Sequence, residues 1–356
     1  MDHHWTVIGY NIMALTSIVG AFWLLWKCRL TYSKIALAVL AFGLAGLSFV
    51  GAFLSPTDPF GKLQLLAWAV FVHLPLFLLG GAYLLFRRNT QTAFVSVFLA
   101  IGLVAVGFYS FLVEPWRLEI TRLTIISPKL ATPVRVALIA DIQTEAPGAY
   151  EERALRMVQE EKPDLILFLG DYIQVKGRDR YTEACKAFNK MLHEVNLQAP
   201  LGVHAVRGNV DRSNIRQVYF DGLSVSTYER TRTVDLGPLA LTGLSFEDSL
   251  NKRFVLVPQG KFHIVFGHHP NYSLGLVDAN LLLAGHTHGG QVRLPFVGPI
   301  LTLSRVPRSW TGGLTVLEPG KALIVSRGIG MERVNAPQMR FLCRPEIVIV
   351  DLTPGQ

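Results

Sequence analysis

"VRVALIADIQTEAPGAYEERALRMVQEEKPDLILFLGDY", residues 134–172, is the stretch whose reading decides the fold. One apolar run ends at Asp141 and a second ends at Asp171, each opening into a polar loop. Short apolar runs bounded by Gly and Pro belong to strands that are covered on both faces. Between them, "YEERALRMVQEEK" (150–162) carries its apolar residues at helical spacing. A strand, a helix and a second strand joined by a right-handed crossover make the two strands parallel.

The pattern then repeats. Residues 180–197 place Tyr181, Ala184, Phe188, Met191, Leu192 and Val195 at helical spacing, and "GVHAVRGNVD" (202–211) brings a third strand to Asn209. "FHIVFGHHP" (262–270) ends at His268 and His269, and "ANLLLAGHTHGG" (279–290) ends at His286 and His288. Side chains at the carboxyl ends of such strands meet in one crevice. After residue 222 the helical patterns thin out. "RTRTVDLG" (230–237), "LALTGLSF" (239–246) and "RFVLVP" (253–258) predict a second, more antiparallel sheet. The expected class is α/β, two sheets with helices outside.

Upstream the chain changes character. Residues 1–113 hold six Lys/Arg and two acids, and apolar runs cover 6–26, 35–54, 65–86 and 92–113. Each is near the ~20 residues that cross a bilayer as a helix, which predicts four transmembrane helices. A cleaved signal peptide accounts for one such run, not four. Lys27, Arg29 and Lys34 fill the first connection, Arg87 and Arg88 the third, and Lys62 alone the second. The Lys/Arg bias puts the first and third connections in the cytoplasm and the region after residue 114 on the exterior side of the inner or cell membrane. Arg117, Arg122 and Lys129 pull the other way. The stretch 114–133 is a linker with a leading strand through Leu118, Ile120, Leu123 and Ile125. Residues 134–356 form the globular domain.

The charge of +8 is spread over both parts, and no basic block with interleaved aromatics points to nucleic acid. A basic protein on an anionic bilayer is the simpler account. Cys28, Cys185 and Cys343 have no metal-binding or disulfide spacing. A transporter would need charged or titratable polar groups along its path, and the crossings hold no acidic residue and one histidine, His73.

The strand ends supply two Asp, one Asn and up to four His. Hard oxygen donors mixed with imidazole suit Mn, Fe, Zn or Mg. An isolated Asp after a strand is usually a loop cap, and a lone HxH pair is usually structural. The ordered set D-x-Q, G-D, G-N-x-D, H-H-P and G-H-T-H is far less easily met by chance. His204 and His263 lie within strands and read as core residues, whereas His193 reads as exposed on its helix. Arg293, Arg305, Arg308 and Arg333 read as surface residues, with a phosphate rim as the sharper alternative. Gly289 and Gly290 read as a sharp turn.

With these motifs, residues 133–352 resemble the calcineurin-like metallophosphoesterases. "GGQVRLP", "VSRGIG" (325–330) and "RPEIVIVDL" (344–352) are similar to the membrane-anchored bacterial branch, which has relatives that hydrolyse UDP-2,3-diacylglucosamine. The resemblance implies a four-layer αββα sandwich and two divalent metal ions. It implies Asp171 as the bridging ligand and Asp141 and His288 at the first metal. Asn209, His268 and His286 would hold the second, Pro270 setting the register that favours His268 over His269.

Two departures stand out. Gln143 occupies the place of the family's first histidine and would be a weaker ligand, with Glu145 close enough in sequence to help. Val210 replaces a histidine that in many relatives assists the leaving group, an aid worth ~10²–10⁴ in rate. Arg207, Arg212 and His269 are candidates to stand in, although Arg212 pairs as simply with Asp211 on the surface. The expected function is hydrolysis of a phosphodiester or diphosphate, lipid-linked because of the anchor, with Asp171, Asn209, His269 and Arg207 as the catalytic set. The alternative is a metal-binding membrane sensor or scaffold whose site has decayed.

Overall fold

The computed structural model describes residues 3–27 and 33–355, so Cys28 and Arg29 lie outside the described residues. The chain divides into two compact units, Met1–Phe111 with Asn335–Gln338, and Leu112–Val334 with Met339–Gln356.

The first unit contains α1 (His3–Lys27), α2 (Ser33–Leu54), α3 (Pro59–Trp68), α4 (Leu74–Leu85) and α5 (Thr90–Phe108). A π-helical turn, Ala69–His73, joins α3 to α4 without a break. Asp58 caps α3 by accepting from the Gly61 amide at 2.7 Å, with Pro59 in the first turn, and Asn89 caps α5 through the Thr92 amide. Four spans, His3–Lys27, Lys34–Leu54, Pro59–Leu85 and Thr90–Trp116, are long and apolar enough to cross a membrane. Their inner faces pack through Ile18, Leu25, Leu37, Phe77 and Leu85. Their outer faces leave Trp23, Phe42 and Phe98 exposed, a surface suited to lipid rather than water. Within the helices His73 is tied down, its Nε2 lying 2.8 Å from Asn11 Oδ1.

The second unit begins with β1 (Glu119–Ser127), β2 (Val134–Ile139), α6 (Ala149–Glu160), β3 (Leu165–Phe168), α7 (Arg178–Val195), β4 (Val203–Val206), α8 (Ile215–Tyr219) and β5 (Val225–Tyr228). It continues through β6 (Arg232–Asp235), β7 (Ala240–Gly243), α9 (Phe246–Leu250), β8 (Val255–Leu256), β9 (His263–Phe266), β10 (Leu276–Val277) and β11 (Leu281–Ala284). The last strands are β12 (Arg293–Leu294), β13 (Gly298–Pro299), β14 (Gly313–Glu318), β15 (Lys321–Val325) and β16 (Glu346–Pro354).

One six-stranded sheet runs β1-β16-β2-β3-β4-β5, with β2 through β5 parallel as the crossovers require. The leading strand β1 is its edge, paired in parallel with β16 over nine residues. The second sheet runs β14-β15-β11-β9-β7-β6. Here the expectation of a more antiparallel sheet fails: β15, β11, β9 and β7 are parallel, and only the two edge pairs are antiparallel. "RFVLVP" is not part of it either, since β8 pairs with β10 in a separate two-stranded ladder.

Layering follows from strand periodicity. In β2, Ala137 and Ile139 face α6 and α7, whereas Val136 and Leu138 face the second sheet. The inter-sheet core brings Leu165, Leu167 and Val350 against Phe266, Leu283 and Ile324. Each such side chain contributes about 1.5–3 kcal/mol on burial. The outer face of the second sheet, Val265, Leu282 and Leu323, is covered by Leu244, Phe254 and Tyr272 from α9, its flanks and the 3₁₀ turn Pro270–Leu274. The architecture is therefore an α/β, αββα sandwich in which the fourth layer is thin. Glu114 fastens its start: the carboxylate accepts from the amides of Leu342, at 2.9 Å, and of Cys343.

Candidate metal centre

The five candidate loops leave the carboxyl ends of β2, β3, β4, β9 and β11, and their side chains meet. Asp171, His268 and His286 place ligand atoms within 4.8 Å of one another. Asn209 joins them, its Oδ1 lying 2.9 Å from His268 Nε2 and 2.8 Å from His286 Nδ1. Asp171 Oδ2 is 3.4 Å from His268 Nε2.

The tautomers of these rings follow from what they touch on the other side. His268 Nδ1 faces the Leu169 carbonyl at 2.8 Å and must donate to it, which leaves Nε2 as a bare lone pair. His286 Nε2 faces the Leu303 carbonyl at 3.3 Å, which leaves Nδ1 bare in the same way. Those two nitrogens and the Asn209 amide oxygen thus point at one another without a proton to share, beside an oxygen of the Asp171 carboxyl. Such an arrangement repels itself unless a cation sits among the atoms. A second set of donors is buried and unsatisfied: His288 has no hydrogen-bond partner at either ring nitrogen, and Gln143 Oε1 has none. These residues fit bound divalent metal.

The electrostatics agree. Burial, reinforced by Asp171, raises the Asp141 carboxyl well above the usual range, and burial pushes Asp171 up to about 7. Burial pushes His268 down to about 4 and, aided by His268, His286 down to about 3; His288 is driven well below the usual imidazole value, chiefly by burial and then by Arg340. The imidazoles are held neutral, the form that ligates, and the carboxyls lack the positive charge that would let them ionise.

Local backbone geometry explains how so many donors converge. Asp141, Gln143, Asp171, His286 and His288 all have positive φ, between 35° and 70°. Non-glycine residues adopt this region at a cost, and such strain collects at functional loops. Gly208 is needed for closeness: a Cβ there would stand 2.0 Å from Asp171 Oδ1. Gly290, at φ +85°, turns the chain where a Cβ would meet Pro299 at 2.3 Å. Thr287, between the two histidines, faces inward and donates to the Thr311 carbonyl at 2.7 Å.

Some expectations fail here and others hold. Arg212 does not pair with Asp211 on the surface; its guanidinium lies 4.1 Å over the Tyr181 ring. Asp211 is buried and accepts from the amides of Gly208, Asp171 and Tyr172 at 2.7–2.9 Å, while the Val210 amide donates to Asp171 Oδ1. This reciprocal clamp locks the G-D loop to the G-N-V-D loop. Glu145 turns to Arg180 rather than to the cluster. Arg333 is half-buried, and its Nε donates to the Gln143 carbonyl at 2.9 Å. Arg207 donates to Glu247 at 2.8 Å and lies over Phe246. His269 stacks on His286 with 4.0 Å between centroids, and burial followed by His286 holds it down to about 2. A ring so resistant to protonation is no proton donor near neutral pH. His204 and His263 are satisfied core residues, bonded to Tyr228 and Thr242, and His193 is exposed.

Sequence reading missed the supports of Gln143. Its Nε2 donates to Glu332 Oε2 at 3.1 Å and to Gln174 Oε1 at 3.3 Å. With the NH₂ end committed, the carbonyl oxygen is left as the free donor atom. Arg340 was missed too. Fully buried, it donates to the carbonyls of Arg327, Gly330 and Cys343, holding the 327–330 loop whose Gly330 amide donates to the Asp141 carbonyl. Glu332 follows Gly330 by two residues in the sequence, whereas Arg340, further on, carries no such signal.

Two outcomes follow. Glu332→Ala frees the Gln143 amide to rotate, and manganese affinity measured by calorimetry is expected to fall about 10–100-fold; unchanged affinity contradicts this role. The carboxyl of Asp171, raised above its unfolded value of about 3.9, favours the metal-free fold at low pH and loses that contribution as pH rises through about 7. Added manganese is therefore expected to raise the melting temperature more at about pH 8 than at about pH 5.5. An equal rise at both contradicts the assignment.

Comparison with known proteins agrees with this geometry. The calcineurin-like phosphoesterase family matches residues 134–290. The chain is 30% identical to the uncharacterized metallophosphoesterase YkuE of Bacillus subtilis over 292 residues, covering 75% of this chain and 97% of that protein. It is 31% identical to an uncharacterized metallophosphoesterase of Aquifex aeolicus, covering 70% and 97%. It is 26% identical to the phosphodiesterase YaeI of Escherichia coli, covering 62% and 83%. The crossed lone pairs at the strand ends thus have their explanation: the chain belongs to the calcineurin-like metallophosphoesterases and is a metal-dependent phosphoester hydrolase.

Proposed function

We propose that the protein is anchored in a membrane by residues 1–113, joined through 114–133 to a catalytic domain at 134–356. That domain hydrolyses a phosphodiester or diphosphate carried on a lipid. The observation that carries the hydrolytic site is the convergence of unprotonated donors from Asp171, Asn209, His268 and His286. In this reading Asp171 would contribute to both metal sites, Asp141, Gln143 and His288 would hold the first metal, and Asn209, His268 and His286 would hold the second.

Bound divalent cations supply Lewis acidity, activating water and neutralising charge on the phosphoryl group. The protein's own residues set the rest. Asp211 and the Val210 amide fix the angle of Asp171, and Glu332 with Gln174 fixes Gln143. Arg207, half-buried against Phe246, offers positive charge at the Asn209 loop. Val210 donates no proton and His269 is held neutral, so a leaving group that departs without acid is preferred. Diesters and diphosphates meet that condition better than alkyl monoesters. The name of the Escherichia coli relative, a phosphodiesterase, supports the same substrate class.

The four apolar spans support a lipid-borne substrate, because an enzyme held at a bilayer meets lipid phosphates at high local concentration. The excess of Lys/Arg in the first and third connections supports a catalytic domain on the exterior side.

Full-length protein in detergent is expected to hydrolyse bis(p-nitrophenyl) phosphate with manganese, and Asp171→Ala to lower the rate at least about 100-fold. Equal rates in both proteins contradict the site. For orientation, a C-terminal alkaline phosphatase fusion should be active in cells and a C-terminal green fluorescent protein dark; the reverse places the domain in the cytoplasm.

A further inference from the structure

The stretch between the metal-side histidines and β14 is unusual in a water-facing loop. Leu294, Phe296, Val297, Ile300, Leu301 and Leu303 are all exposed, and Phe296 is fully so. β12 and β13 form a short hairpin through the pairs Arg293–Pro299 and Leu294–Gly298, with Phe296 at its tip. Phe296 has φ +64° and Leu303 φ +49°, both bulky residues in a region that costs them energy. An apolar patch of this kind, held out on a strained turn, calls for a partner.

The charge pattern says which one. From residue 279 to residue 317 there is no Asp or Glu, while Arg293, Arg305 and Arg308 fall in the same segment. Arg305 and Arg308 are exposed. Apolar side chains flanked by arginines, with no acid among them, fit the boundary between anionic headgroups and acyl chains. The same chain carries four helices long and apolar enough to cross a bilayer, so a bilayer is the apolar phase within its reach.

The hairpin is also wired to the metal centre. The Leu303 carbonyl accepts from His286 Nε2 at 3.3 Å, and Pro299 packs against Gly290 in the loop that carries both histidines. We propose that the 294–303 hairpin inserts Phe296 and its neighbours into the headgroup–acyl boundary of an anionic bilayer, with Arg305 and Arg308 on lipid phosphates. This rests on the proposed membrane anchoring and is independent of which phosphoester is cut. It would deliver a lipid phosphate to a site whose ligand loop is braced by the inserted segment.

The test uses the full chain with Cys28→Ser in nanodiscs of phosphatidylglycerol and phosphatidylcholine. An environment-sensitive NBD label is placed at Phe296→Cys and, separately, at Lys190→Cys on the exposed face of α7. Hydrolysis of bis(p-nitrophenyl) phosphate confirms that each labelled protein is folded. The label at 296 is expected to emit at shorter wavelength and to be quenched by brominated acyl chains severalfold more than the label at 190. An aqueous spectrum at 296, or equal quenching at the two positions, overturns the proposal. A blue shift without bromine quenching also overturns it, since protein rather than lipid would then cover the hairpin. Failure of the chain to co-purify with discs would refute the anchoring itself, and the hairpin's role with it.

Discussion

Repulsion among lone pairs is the constraint on which this structure depends. Asn209 Oδ1, His268 Nε2 and His286 Nδ1 lie within 3.2 Å of one another, and the outward bonds of the two rings deny them a shared proton. Each ring is held by a backbone carbonyl that belongs to a different loop, Leu169 for one and Leu303 for the other. The protein therefore spends folding energy to hold atoms in an arrangement that only a cation makes favourable. That energy comes from the inter-sheet core, where residues of β2, β3 and β16 interlock with residues of β9, β11 and β15. The carboxyl ends of β2, β3 and β4 in one sheet and of β9 and β11 in the other place five loops on one crevice, and neither sheet alone carries all the donors.

The supports around the cluster share a logic. Asp211, Arg340 and Glu332 use charge on backbone amides, backbone carbonyls and side-chain amides rather than on one another. A charged hydrogen bond to a fixed dipole holds a loop without cancelling the local field. The positive φ values at five candidate ligands are what these supports hold in place. Removing a support relaxes a ligand loop even though nothing in direct contact with a cation has changed.

Much of this was legible in the residues themselves. Doubly covered strands ending in Asp141, Asp171 and Asn209 were readable because their apolar runs are short, continuous and separated by amphipathic helices. The second sheet is less legible because the stretches 230–237, 239–246 and 253–258 alternate, yet they supply an antiparallel edge pair and a separate ladder rather than its middle. Its inner strands β9, β11 and β15 are buried along nearly their whole length, which is the mark of parallel strands. The partners of Gln143 were out of reach for a different reason. Gln174 and Glu332 lie 158 residues apart and meet only once both sheets are assembled. Left-handed backbone at Asp or His leaves only a weak trace in residue type, unlike the glycines at 289 and 290.

Glu114 carries a consequence for where the chain can be cut. Its carboxylate accepts from two consecutive amides, Leu342 and Cys343, and the Cys343 thiol in turn donates to the His288 carbonyl at 3.2 Å. The first residues of the globular unit thus brace, through one intermediary, the loop that carries a candidate ligand. A soluble fragment begun at the visible start of the sheet, at β1 or β2, would leave the buried Cys343 amide without an acceptor. The boundary that matters for a working fragment is set by an anion, not by a strand, and it lies at the very end of the last apolar span.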